Sequence, residues 1–411
     1  MACIRKRELT DSKGKPYLRY VVDYKDQNGI RRTPQFEKKK EADAFLDKVK
    51  RELFEGVHVA QSEAITFDKL ADLYLKDCER RRRIGDAMSG NTLDLIGRLV
   101  RVHLVPAFGS DKVTDITGAK VRAFVNEKAE RYSRVTVEKL ITLLRDALQF
   151  GVREGYLRRN IIRDEPPRNP LPPRGQIEVP TLDHLRAIVA AVEAPLLDPK
   201  AHPPGLGRRK KNNGSRITAI TVYLALTCGL RRGEICGLRW ENVDFGSEVI
   251  NVRHSISRRD GLKGPKSKAG LRRTPMVAVL RRHLLAMWEL QERPAEGFVL
   301  TTSKGTPFGP DDLSAWHWEP VARAAEVRRA DGSLMGLHSI RHAAVSLWIK
   351  AGLSDLALKE VVGHSSVNTT KDVYGHLYDA DDEARHAMRN SLAVLRLSDE
   401  MAALPMQQAA N

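Results

Sequence analysis

The chain has 411 residues, beyond the roughly 250–300 at which single hydrophobic cores stop growing, so two or three domains are expected. Its 69 Lys and Arg against 52 Asp and Glu give a net charge of +17, which suits a polyanionic partner, with nucleic acid the first candidate. Cys3, Cys78, Cys228 and Cys236, none in a close C-x-x-C pair, speak against a disulfide framework or a cysteine zinc site and for a reducing, cytoplasmic home. With no apolar run of about 18 residues and no leader pattern, neither export nor membrane spanning is expected.

In chain order, Tyr17–Tyr24 ("YLRYVVDY"), an Asn28-Gly29 turn and "IRRTPQF" predict a β-hairpin. Ala42, Phe45, Leu46, Val49 and Leu53 then recur at helical spacing, predicting a helix over Lys38–Phe54. This β-β-α unit is basic, with Arg5, Arg7, Arg19, Arg31 and Arg32 near its strands. Such a ribbon fits a DNA major groove, and a solvated hairpin on a helix has the same composition. From Thr66, an N-cap before "FDKLADLYL", the pattern predicts a four-helix module whose later helices cover Thr92–Val102, Gly118–Glu130 and Ser133–Glu154. The run Arg80, Arg81, Arg82 and Arg83 makes sense if phosphates neutralise its self-repulsion; for any one of them a solvated helix end is the plain alternative.

"DEPPRNPLPPRGQ" (Asp164–Gln176) holds five prolines, which stop regular structure and predict an extended linker. A second break is expected at Glu193–Arg216, rich in Pro, Gly and basic residues, as a surface loop. "ITAITVYLALTCGLRRGEICGLRW" then predicts a buried helix, a glycine turn and a short second helix, and "VINVRHSISRRDGLKGPKSKAGLRRTPMV" short strands joined by glycine-rich turns. Helices resume at Val277–Glu292 and are expected to dominate to about Leu397.

Polar clusters interrupt this second half: Arg231 after "TCGL", Lys266 and Lys268 in "GPKSKAGLRR", His338 and Arg341 in "GLHSIRH", and His364 with Tyr374 in "GHSSVNTTKDVY". Each alone has an ordinary reading as a cap, a turn residue or a bonded core histidine. Together they supply what a tyrosine needs to attack a DNA phosphodiester. Guanidinium forks match the charge that builds on two non-bridging phosphate oxygens. A lysine protonates the departing 5′-oxygen, and a histidine takes the phenol proton or holds the phosphate. The phosphotyrosyl ester retains the bond's free energy, so rejoining needs no ATP.

The order "TCGLRRGE", a lysine in a strand turn, "HSIRH" and "GHSSVNTTKDVYGH" resembles the tyrosine recombinase, or phage integrase, family. The resemblance implies a catalytic set Arg231, Lys266, His338, Arg341, His364 and Tyr374, the last as nucleophile, with Glu234 buttressing the site and no metal or cofactor. It implies a multidomain chain, mainly α with small β elements. An arm-type DNA-binding domain would span 1–60, a helical core-site-binding domain 65–163 and a linker 164–180. A mixed α/β catalytic domain would span 181–385, and a tail 386–411 would contact a neighbouring protomer. DNA contacts are expected from Arg19, Arg31, Arg32, Arg80, Arg81, Arg82 and Arg83. Expected partners are double-stranded DNA carrying attachment-type sites, three further copies in a homotetramer, and DNA-bending or directionality factors. Family members often carry Asp-Leu where this chain has Ser339-Ile340, and Lys268 competes with Lys266 for the lysine role.

Competing classes are a non-catalytic DNA-binding regulator and a type IB topoisomerase. A zinc site at His338 and His342 lacks the glutamate that the metalloprotease pattern places after the first histidine.

Overall fold

The structure, a computed structural model, describes residues 3–10, 16–26, 29–54, 64–86, 88–173, 175, 177–197, 213–264 and 270–363. It divides into two compact units, Met1–Gly175 and Gln176–Asn411.

The first unit opens with a small antiparallel sheet. Strands β1 (Cys3–Thr10) and β2 (Pro16–Lys25) pair from Cys3↔Asp23 to Thr10↔Pro16, and β2 also pairs β3 (Arg31–Arg32) and β4 (Gln35–Phe36). The expected hairpin is therefore extended by β1, which pairs on the other edge of β2. β1 escaped notice because consecutive Arg5, Lys6 and Arg7 put charge on both of its faces in place of an apolar alternation. Val22 and Tyr24 of β2 pack on Ala42, Leu46 and Val49 of α1 (Lys39–Phe54), closing a small core.

A second core fills the helical part: α2 (Phe67–Arg83), α3 (Gly90–Leu99), α4 (Val105–Phe108), α5 (Gly118–Ala129), α6 (Arg134–Arg153) and α7 (Ile161–Asp164). Phe67, Leu70, Ala71, Tyr74, Leu75 and Cys78 form the buried face of α2. Thr66 is its N-cap by position, but its hydroxyl bonds the Asp68 carboxylate and caps no amide. Between α3 and α4 lies a π-helical turn, Val100–Leu104, just ahead of Pro106. Proline lacks an N–H and its ring crowds the carbonyl four residues back, which the wider turn relieves. The proline-rich stretch is tethered at first: the Asn169 amide donates to the Arg134 carbonyl at 3.1 Å, and Arg134 donates to the Leu171 carbonyl.

The second unit is built round α9 (Asn213–Thr227), which has Ile217, Ala219, Ile220, Val222, Tyr223, Leu224 and Ala225 all buried. A helix apolar all round belongs at the centre of a core. It packs on α8 (Leu182–Leu197), α11 (Ala278–Leu290) and α14 (Leu337–Lys350). The break expected from Glu193 begins later, because α8 runs through Pro195 to Leu197; residues 198–212 lie outside the described residues. Glu193 is held there, accepting from the Tyr223 hydroxyl at 2.7 Å and from Arg282 at 2.9 Å, with His283 Nε2 at 2.9 Å.

After α9 come α10 (Arg232–Cys236), β5 (Val243–Asp244), β6 (Val249–Val252), β7 (Ser255–Ser257), β8 (Gly261–Lys263) and β9 (Arg272–Pro275). One sheet has the order β5-β6-β9, and β7 and β8 form a hairpin. The remaining helices are α12 (Pro310–Leu313), α13 (Glu319–Ala324), and α15 (Asp355–Val362) beyond α14. A second π-helical turn, Ser314–Trp318, precedes Pro320 as the first precedes Pro106. The last of the helices expected up to about Leu397, and the tail 386–411, lie outside the described residues.

Candidate active site

The site starts at the turn between α9 and α10. Gly229 has φ +59°, and a Cβ on it would lie 3.0 Å from the Trp348 ring, so glycine both turns the chain and lets that ring close over it. The Gly229 carbonyl accepts from Nη1 of Arg341, a side chain of α14 that is almost wholly buried. Two residues on, Arg231 is the N-cap of α10. Glu234, in the first turn, accepts the Arg231 backbone N–H at 2.8 Å and its Nη1 at 2.9 Å. This is half of a capping box: the carboxylate reaches back, and a guanidinium has no acceptor with which to reciprocate.

Glu234 also meets Arg272 of β9 through two parallel bonds, Nη1 to Oε1 at 3.0 Å and Nη2 to Oε2 at 2.7 Å. Burial by itself pushes the Glu234 carboxyl up. The bonds and charge of Arg272, then the charge and backbone N–H of Arg231, outweigh burial and hold it at about 2. The side chain of Arg272 is 3% exposed and that of Arg231 41%, so one guanidinium is sealed behind the carboxylate and the other faces solvent.

Three arginines from three elements thus converge on the end of α15. The consecutive carbonyls of Val361, Val362 and Gly363 accept from Arg272 at 2.8 Å, Arg341 at 2.7 Å and Arg231 at 3.4 Å. Gly363 ends the helix in the left-handed conformation, φ 71° and ψ 46°. Carbonyls left over at a helix C-terminus are natural acceptors for cations. His338, in the first turn of α14, has its ring centroid 4.6 Å from that of His342. Desolvation lowers its pKa, as do the positive charges of His342, Arg341, Arg231 and Arg232. The ring keeps solvent access, so the cations are the firmer cause. At neutral pH it is an uncharged imidazole able to accept or donate one bond.

Of the catalytic set expected from sequence, Arg231, His338 and Arg341 are brought together, with Glu234 beneath them. Lys266, its rival Lys268, His364 and Tyr374 lie outside the described residues. Ser339, in place of the family's aspartate, donates its hydroxyl to the Gly336 carbonyl at 2.7 Å, a bond local to the start of α14. Arg272 was missed by sequence reasoning. Its signal lay in "LRRTP": strand alternation puts Arg272 and Thr274 on the buried face, and a buried arginine demands a carboxylate.

Of the arginines expected on DNA, Arg19, Arg31, Arg32, Arg80 and Arg81 already hold carboxylates. Arg19 pairs Glu37 at 2.7 Å, Arg31 pairs Asp23 at 2.8 Å and Arg32 pairs Asp26 at 2.8 Å. Arg80 meets Asp77 at 2.6 Å and Arg81 meets Asp86 at 2.6 Å, so the chain itself eases repulsion in the four-arginine run that was expected to await phosphate. Arg82 and Arg83 complete that run in the last turn of α2.

A cluster of guanidiniums with one carboxylate and a neutral imidazole defines an anion-binding site of the kind that serves phosphoryl chemistry. Residues 208–381 match the Phage integrase family. The ICEBs1 integrase of Bacillus subtilis (strain 168) is 28% identical over 365 residues, 85% of this chain and 89% of that protein. A "Tyrosine recombinase XerC-like" protein of Caldanaerobacter subterraneus subsp. tengcongensis is 23% identical, over 89% of this chain and 93% of its own. Among solved structures, the Tn1549 transposon integrase in complex with transposon right end DNA matches with TM-score 0.58 and 20% identity, covering 79% of this chain and 99% of that one. A lambda integrase tetramer bound to a Holliday junction matches with TM-score 0.54 and 16% identity, covering 87% and 95%. Residues 208–381 are thus a Phage integrase family domain, and two relatives that match most of the chain are an integrase and a tyrosine recombinase-like protein.

Proposed function

We propose that this protein is the site-specific integrase of a phage or mobile element, breaking and rejoining DNA through a 3′-phosphotyrosine at Tyr374. The observation that carries this reading is the convergence of Arg231 and Arg341 on the adjacent carbonyls of Gly363 and Val362, directly ahead of His364 in the sequence. Two guanidiniums held one peptide apart suit the two non-bridging oxygens of a single phosphate. His338 adds a neutral donor beside them, and Glu234 keeps Arg231 in place. The Tyr374 oxygen bonds to phosphorus as the bond to the deoxyribose 5′-oxygen breaks, and Lys266 protonates that oxygen. His364 takes the phenol proton or holds the phosphate. Rejoining is the same exchange run backwards by a 5′-hydroxyl.

Double-stranded DNA with attachment-type sites is the partner, and a homotetramer is the working assembly. Arg19, Arg31, Arg32 and Arg80–Arg83 contact phosphates; for Arg19, Arg31, Arg32, Arg80 and Arg81 this exchanges a present carboxylate, which costs little where the side chain is exposed, as for Arg31 at 61% and Arg80 at 56%. The test is covalent capture of a nicked duplex spanning the borders of the element that carries this gene. Tyr374→Phe is expected to abolish the adduct and leave binding of the same DNA largely intact. An adduct formed by the Phe variant moves the nucleophile elsewhere. Binding without any adduct from the unaltered protein favours a DNA-binding regulator.

A further inference from the structure

Arg272 lies outside the set just described, yet three of its five donors tie three parts of the site together. Its fork grips both oxygens of Glu234, and its remaining Nε–H holds the carbonyl of Val361 at 2.8 Å. Through Glu234 it acts on Arg231, whose backbone and side chain both bond that carboxylate. Through Val361 it acts on the end of α15, two residues before Gly363 and three before His364. Its own strand, β9, follows the 265–269 segment that contains Lys266. Three of its five N–H donors are spent on two fixed partners, and its side chain is 3% exposed. The register of β9 gives it that place: Val252↔Arg272 sets it on the inner face of the β5-β6-β9 sheet while Arg273 points out.

We propose that Arg272 is a positioning residue for strand cleavage, fixing the Arg231 guanidinium relative to the chain that leads into the His364–Tyr374 motif. This rests on the recombinase reading above. A displacement of about 1 Å at a reacting group costs on the order of 100-fold in rate, so a residue that sets the spacing of two motifs controls the rate without touching DNA. A lysine in its place keeps the charge that Glu234 needs but cannot grip two oxygens and a carbonyl at once.

The experiment uses the full-length protein in single-turnover cleavage of a nicked duplex spanning the element's borders, with protein saturating. The rate constant is read separately from the fraction of protein that reacts. A residue that merely held the fold would shrink the reacting fraction and leave the rate constant of the folded remainder unchanged. Arg272→Gln is expected to lower the rate constant about 100-fold, and Arg272→Lys by about 10-fold, with the DNA concentration for half-saturation unchanged. Glu234→Gln combined with Arg272→Gln is expected to be no slower than the slower single variant, because both act through one linkage. An Arg272→Lys protein that cleaves at the wild-type rate constant overturns the positioning role while leaving the recombinase reading intact. Failure of the unaltered protein to form any adduct removes both.

Discussion

Glu234 in the second unit and Asp77 in the first each sit between two arginines. Both acids are buried and both have lowered pKa values. The cations differ. Arg80 and Arg153, at 2.6 and 3.0 Å from Asp77, are each 56% exposed, whereas Arg272, at 2.7 Å from Glu234, is 3% exposed. Water can solvate Arg80 and Arg153 whether or not Asp77 is present. Among the described residues Arg272 has only Glu234 and the Val361 carbonyl, so its ion pair is an obligation of the fold. Pairing looks alike in the two places, and burial of the cation decides which pair the structure depends on.

The largest break in that comparison comes from Glu234→Gln, which strands the Arg272 charge in the core. It is expected to cost about 3 to 5 kcal/mol, measured as a lowered urea midpoint of the second unit at constant slope. A smaller and graded effect comes from pH. Because the Glu234 pKa is depressed in the folded state, to about 2 from an ordinary 4.5, its stabilisation is full above pH 4.5 and is lost as pH falls through 2. The loss amounts to roughly 3 kcal/mol, and an acid titration followed by tryptophan fluorescence should show it in wild type and not in Glu234→Gln. The smallest effect belongs to Asp77→Asn, which leaves two solvated arginines behind and should cost about 1 kcal/mol or less in thermal unfolding. A cost at Asp77 equal to that at Glu234 would erase the distinction drawn from cation exposure.

Much of the site was legible because its chemistry is local in sequence. "TCGLRRGE" places a glycine turn, an N-cap arginine and a glutamate three residues on, and the structure builds these into one linked turn. "HSIRH" sets His338 and Arg341 on one helix three positions apart, which puts them on one face. β1 was not legible, since the charged run Arg5–Glu8 leaves no hydrophobic alternation to read, and Ile4 of β1 only flanks a core made by Val22, Tyr24 and α1. The end of α8 was misplaced because Pro195 reads as a breaker, although the helix continues two residues beyond it.

By itself the sequence determined which residue types were available, which helices were amphipathic and in what order the cations occur along the chain. Those features follow from periodicity and from the side chains' own chemistry. Only the tertiary structure decided that Arg272 is sealed while Arg231 is open, and that the carbonyls of Val361, Val362 and Gly363 each take a different arginine. Segments far apart in the chain must meet before a charge is cut off from water, and it is that exclusion of water which fixes which guanidinium is spoken for and which remains to meet a phosphate.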